Sequence, residues 1–214
     1  AIKTVAITAI VEHPALDDVR KGVIDELNEA GFKDGENLTV NFQSAQGNTA
    51  TAGQIAKQFV ADAPDVIVAI ATPSAQSVAA STSSIPLVFS AVTDPVAAKL
   101  VPKLDGSGTN VTGASDALPY EPQIDLMRQI IPSLKNVGYV YSPGEVNSTI
   151  ILKNLKEKLT PLGINVLEAP AQRSNDIAMA ARSLEGKVDM IYTSTDNNVV
   201  SAYESLYQIA KQSK

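Results

Sequence analysis

"FSAVTDPVAAKLV", residues 89–101, ends an apolar run, "IPLVFS" (85–90), in Thr93 and Asp94 and then continues through Pro95. A strand that stops at a small polar turn and passes into a helix opened by proline has this pattern. "MIYTSTDNNVVSAY", residues 190–203, repeats the order: apolar run, hydroxyl residues, Thr195 and Asp196, helix. The chain therefore aims a carboxylate off the end of a strand twice, which is the grammar of a βα unit used in series.

Working outward, the same alternation covers the chain. "KTVAITAIV" (3–11) is an apolar run rich in β-branched residues. The segment after it, "ALDDVRKGVIDELNEAG", places Leu16, Val19, Val23, Ile24 and Leu27 at helical spacing and stops at Gly31. "NLTVNFQSA", "PDVIVAIA", "IPLVFSA" and "NVTGASD" read as further strands, with "TATAGQIAKQFVAD" and "PSAQSVAAST" as helices between them. A second series follows: helix "EPQIDLMRQII", strand "NVGYVYS", helix "VNSTIILKNLKEKLTPLG", strand "INVLEAP", helix "NDIAMAARSLEG", strand "VDMIYTS" and a final helix "NVVSAYESLYQIAKQ". Apolar strands that do not alternate are expected where helices cover both faces of a parallel sheet. Gly113, Pro119 and Pro122 in and beside "GASDALPYEP" mark a crossing between two lobes, placed at 1–115 and 116–214.

Composition excludes several classes. The 214 residues carry a formal charge of -6, with no Lys/Arg-rich stretch to neutralise phosphates, so no nucleic-acid partner is expected. No apolar stretch reaches the ~20 residues of a membrane span. There is no Cys and one His, His13, so no disulfide, thiolate nucleophile or multi-His metal site is available. No Asp-rich loop has EF-hand spacing, and no phosphate-binding loop or nucleophile elbow occurs. No metal, cofactor or catalytic residue is expected.

In open α/β sheets, ligands bind beyond the C-terminal ends of the strands. The loops there are "VEHPALDD", "ATPSAQS", "SAVTDPV", "YSPGEVNST" and "TSTDNNV", nearly all Ser, Thr, Asp, Asn and Pro. Each stands where free N–H groups of a helix N-terminus can receive an anion. Each also has a plainer reading, because these residues cap helices at strand-to-helix turns. His13, before a proline, reads first as a loop or helix-entry residue and second as a flat polar face lining a cleft.

"HPALDDVRKGVIDELNEAGF", "IATPSAQSVA", "PLVFSAVTDPVAAKLV", "NVTGASD", "YSPGEVNS" and "TSTDNNVVSA", in that order, resemble bacterial ABC-transporter substrate-binding proteins of the tryptophan- and tyrosine-binding type. The resemblance covers nearly the whole chain. It implies a type I periplasmic-binding-protein fold, two Rossmann-like lobes with parallel sheets joined by a hinge, and an amino-acid-like ligand held by closure of the cleft. It further implies a periplasmic or lipid-anchored extracytoplasmic protein that serves an ABC permease. Two departures from such proteins stand out: no leader or lipid-bearing Cys is present, and family members continue past Lys214. The expectation is therefore a mature or trimmed chain with an incomplete second lobe.

For a zwitterionic ligand, Thr72, Ser74 and Ala75, with Asn147 and Ser148, are candidate carboxylate donors. Asp196, then Asp94, then Asp116 are candidates for the ammonium. Ser90, Thr93, Thr195 and Asn197 would complete a polar wall. His13, Tyr120 or Tyr141 could pack against an aromatic side chain, and Tyr203 is expected to pack in its own helix. Alternatives on the same fold are the effector domain of a regulator or receptor and a sugar or nucleoside binder. An α/β enzyme is the weakest reading, since no nucleophile has a base beside it.

Overall fold

A computed structural model describes residues 1–213. The chain divides into two compact units, one spanning Ala1–Ala117 and the other running on from Leu118.

The first unit is a five-stranded parallel sheet: β1 (Lys3–Ala9), β2 (Leu38–Ser44), β3 (Val66–Ile70), β4 (Leu87–Val92) and β5 (Val111–Ser115), in the order β2-β1-β3-β4-β5. Its helices are α1 (Pro14–Glu29), α2 (Thr49–Asp62) and α3 (Thr72–Ser81). Pro14 starts α1 where its missing N–H costs nothing. Gly31, at φ 89°, ends that helix: its N–H donates to Asn28 O and the N–H of Phe32 reaches back to Leu27 O, closing the last free carbonyls. Asn48 caps α2 by accepting from Thr51 N at 3.0 Å. Ile7, Phe59, Ile67 and Leu87 are fully buried in this unit. With so few aromatics, the core rests on aliphatic burial, worth about 25 cal/mol per Å² of apolar surface.

The second unit pairs β6 (Asn136–Tyr141) in parallel with β7 (Asn165–Pro170) on one side and β8 (Met190–Tyr192) on the other. Its helices are α4 (Tyr120–Ile130), α5 (Val146–Leu159), α6 (Ile177–Arg182), α7 (Asn197–Ser201) and α8 (Tyr203–Gln212). Tyr139, Ile151, Leu155 and Leu159 form the buried centre of one face. In both units the first strand lies between the second and the third. The strand order therefore reverses beside β1 in one unit and beside β6 in the other, and crevices open at such points.

Two local expectations differ. The helix after Pro95 does not form. Ala98 N donates to Asp94 O, but Lys99 adopts φ 59° and breaks the run after a single turn. The last expected helix is two, because Ala202 (φ -112°, ψ 21°) interrupts it between α7 and α8.

Candidate functional site

The strand ends of the first unit carry the clearest strain in the molecule. Ala71, between β3 and α3, holds φ 78° and ψ 156°, a region that is essentially glycine's own. Its N–H donates to Ser90 O at 2.9 Å, which ties the start of α3 to the end of β4. Ala91, next in β4, is also left-handed at φ 54°. Strained non-glycine residues persist where the surroundings over-determine them, and they gather at functional sites.

The strained turn presents the first residues of α3. Thr72, Ser74 and Ala75 are buried there, and the hydroxyls Thr72 Oγ1 and Ser74 Oγ have no hydrogen-bond partner. Thr8 Oγ1, near the end of the neighbouring strand β1, is likewise buried and unpartnered. An unsatisfied buried polar group costs about 1–3 kcal/mol. Thr72 and Ser74 thus leave two orphaned hydroxyls in the first turn of α3, and Thr8 leaves a third on β1.

The other residues singled out in this unit are placed differently. Asp94 Oδ1 accepts from Val96 N (3.1 Å) and Ala97 N (2.9 Å), so it organises its own turn. Thr93 is buried; its carbonyl accepts from Ser115 Oγ, and its side chain hydrogen-bonds the carboxylate of Asp116. His13 is buried at the entry to α1 and makes no side-chain cap there.

In the second unit Asp196 is fully buried and its carboxylate is full. Oδ2 accepts from Ser142 N and Ser148 Oγ, each at 2.6 Å; Oδ1 accepts from Ser142 Oγ (2.9 Å) and Val199 N (3.0 Å). It caps α7 and at the same time clamps the β6–α5 turn. Ser148 Oγ is shared with Tyr139 OH (3.0 Å), which also meets Ser194 Oγ at 2.8 Å. The hydroxyl expected of Ser148 as a ligand donor is thus committed internally. Burial, above all, raises the Tyr139 hydroxyl pKa well beyond its ordinary value and keeps it neutral.

Glu145 is the buried acid that sequence reasoning passed over. It is the last residue before α5, yet its carboxylate does not cap that helix. Oε2 instead accepts from Asn147 Nδ2 (2.8 Å), Asn197 N (3.1 Å) and Asn197 Nδ2 (3.1 Å). Burial pushes its pKa up to about 7, and the charge of Asp196 adds to the effect. Asn147 Nδ2 also donates to Thr195 O at 3.0 Å. One signal was available: a glutamate immediately ahead of a helix, at a strand end, is a poor cap and needs another purpose.

Tyr120 and Tyr141 have protein partners of their own. Tyr120 OH accepts from Asn154 Nδ2 at 3.1 Å; Tyr141 donates to Glu168 and stacks on Tyr139 with ring centroids 5.5 Å apart. Among the described residues, no three His, Cys, Asp or Glu side chains gather to hold a metal ion, and no helix is long and apolar enough to cross a membrane.

Two α/β units with parallel sheets, each with polar groups collected where its strand order reverses, give the architecture of type I periplasmic binding proteins. Solved structures of an extracellular ligand-binding receptor from Verminephrobacter eiseniae and a leucine binding protein from Thermotoga maritima share that fold at 13% and 17% identity, with TM-scores of 0.62 and 0.64. They cover 98% and 90% of this chain, and 62% and 55% of their own. Residues 4–214 match the family described as ABC transporter substrate binding protein, and the chain belongs to that family.

Nearer relatives are longer than this chain. A tyrosine-binding protein of Clostridioides difficile is 40% identical over 212 residues, which is 99% of this chain and 61% of that protein. A conserved domain protein from Vibrio cholerae is 46% identical with a TM-score of 0.98, matching all of this chain and 72% of that one. A Streptococcus pneumoniae ABC domain solved in complex with L-Trp is 33% identical with a TM-score of 0.95, again over all of this chain and 72% of that one.

Proposed function

We propose that this chain is the ligand-binding part of an ABC importer's substrate-binding protein and that its ligand is an amino acid. It binds and releases the ligand without chemical change. The observation that carries the reading is the pair of orphaned hydroxyls, Thr72 and Ser74, in the first turn of α3, with a third, Thr8, on the strand β1. A carboxylate would give each an acceptor and would meet the free N–H groups of the helix. The names of the relatives support an aromatic amino acid as the ligand. The protein would then act outside the cytoplasmic membrane, periplasmic or lipid-anchored, and deliver its ligand to a permease.

A thermal-shift series with L-tyrosine, L-tryptophan, aliphatic amino acids, sugars and nucleosides tests this. Ligand at about 100 times Kd stabilises by about 2.7 kcal/mol, a shift easily read in melting temperature. L-Tyrosine or L-tryptophan should raise the melting temperature, and Thr72→Val should reduce that rise. A response to sugars or nucleosides alone would overturn the ligand class.

A further inference from the structure

Two Asp–Gly pairs occur in the chain: Asp34–Gly35, between α1 and β2, and Asp105–Gly106, between β4 and β5. Such a pair is chemically special. No Cβ hinders the glycine nitrogen, and the glycine backbone turns freely. The nitrogen can therefore reach the carboxyl carbon of the aspartate before it and close a five-membered ring. Whether it does so in a folded chain depends on what holds the carboxyl and the N–H.

The fold ties down the first pair. The Gly35 N–H donates to Leu38 O at 2.9 Å, Asp34 Oδ1 accepts from Val40 N at 2.9 Å, and Asp34 forms a parallel bridge with Leu38. Ring closure there would break both hydrogen bonds. The second pair has neither restraint. Among the described residues, no backbone N–H or C=O of residues 102–106 makes a hydrogen bond. The chain is held before them by Val101 N on Pro95 O (3.4 Å) and after them by Ser107 Oγ on Val111 O (2.5 Å). The Asp105 side chain is 84% exposed, and its ionic partner is Lys103 Nζ at 3.6 Å, 62% exposed. An ion pair so open to water restrains little. Gly106 sits at φ 96°, with open space where a Cβ would stand.

We propose that Asp105–Gly106 is a site of self-modification, at which the folded protein forms isoaspartate through a succinimide, and that the fold protects Asp34–Gly35 from the same reaction. The Gly106 nitrogen bonds to Asp105 Cγ. The carboxyl hydroxyl and the amide proton leave together as water. Water then opens the ring at either carbonyl. Attack at Cγ restores aspartate. Attack at the main-chain carbonyl leaves the chain running through Cγ, one methylene longer, with the α-carboxylate as the new side chain. No oxidant, reductant or second protein enters the balance. Because 102–106 is unanchored, the added methylene is absorbed there and β5 keeps its pairing with β4.

Ageing the purified protein at neutral pH tests it. An isoaspartate methyltransferase with a labelled methyl donor marks the product, and proteolytic peptides place it. In the folded protein the peptide containing 105–106 should gain label at least about tenfold faster than the peptide containing 34–35. In chain aged unfolded in urea the two should label at similar rates, because the protecting hydrogen bonds are gone. Asp105→Glu, whose ring would have six members, should leave its peptide unlabelled. Equal labelling of the two peptides in the folded protein, or faster labelling at 34–35, would overturn the protection. Absence of label at 105–106 in the folded protein would overturn the site, and so would label there that survives Asp105→Glu.

Discussion

Replacing Asp196 with alanine separates a clamp from a ligand-binding group. Four donors lose their acceptor: Ser142 N, Val199 N, Ser142 Oγ and Ser148 Oγ. The two hydroxyls have other company. Ser148 Oγ keeps Tyr139 OH at 3.0 Å, and Ser142 Oγ keeps Asn198 Nδ2 at 2.9 Å. The two backbone N–H groups have none, and each left buried and unpaired costs about 1–3 kcal/mol. Relief of the repulsion between Asp196 and Glu145 offsets part of that loss. A net destabilisation of about 3 kcal/mol follows, or about 15 °C in melting temperature for a unit of this size. Scanning calorimetry and urea unfolding of the ligand-free protein measure it. Asp196→Asn, which keeps one acceptor oxygen, should fall between the alanine variant and wild type. The reasoning is refuted if Asp196→Ala melts within about 2 °C of wild type yet binds L-tyrosine at least about tenfold more weakly, since a residue that holds only the fold cannot behave so.

Further outcomes follow from the same geometry. The carboxyl of Glu145 sits higher in the folded than in the unfolded chain, so between about 4.5 and about 7 the folded protein holds more protons. Its contribution to stability is complete below that window and is lost as the pH rises through it, by about 3 kcal/mol in ligand-free protein. Urea midpoints at about pH 5 and about pH 8 should differ accordingly in wild type, and less in Glu145→Gln. At Gly113 an added Cβ would collide with both the backbone carbonyl and the ring of Phe89, so Gly113→Ala should cost about 3 kcal/mol. At Gly138 the nearest atom is the mobile end of Leu184, 2.7 Å away, and Gly138→Ala should cost only about 1 kcal/mol; chemical denaturation distinguishes the two. Tyr139→Phe removes the hydroxyl shared by Ser148 and Ser194 and should cost about 1–2 kcal/mol in the same assay, with amino-acid affinity retained.

The order of strands and helices was legible along the chain because burial on both faces leaves apolar runs, and helix ends leave Pro, Asn and Gly at set places. Pro14, Asn48 and Gly31 sit where those local rules put them. The loops at the strand ends were legible as turns, since Ser, Thr, Asp and Asn gather where strands give way to helices. Where a rule depended on one backbone angle that the residue type does not announce, it failed. The helix after Pro95 was lost to Lys99 at φ 59°, and nothing in "DPVAAKL" announces that angle.

The choice among carboxylates lay beyond the sequence altogether. Asp94, Asp116, Glu145 and Asp196 are alike in composition and in setting: acids near strand ends, in small polar turns. What separates them is how many donors each already has. The donors to Asp196 from Ser142 come from 54 positions away, and those to Glu145 from Asn197 from 52. Local patterning determined that acids stand at the ends of strands. Only the packing of β6 beside β8 decided that Asp196 is filled and Glu145 has an oxygen to spare, because hydrogen-bond capacity is used up by neighbours in space and not by neighbours in the chain.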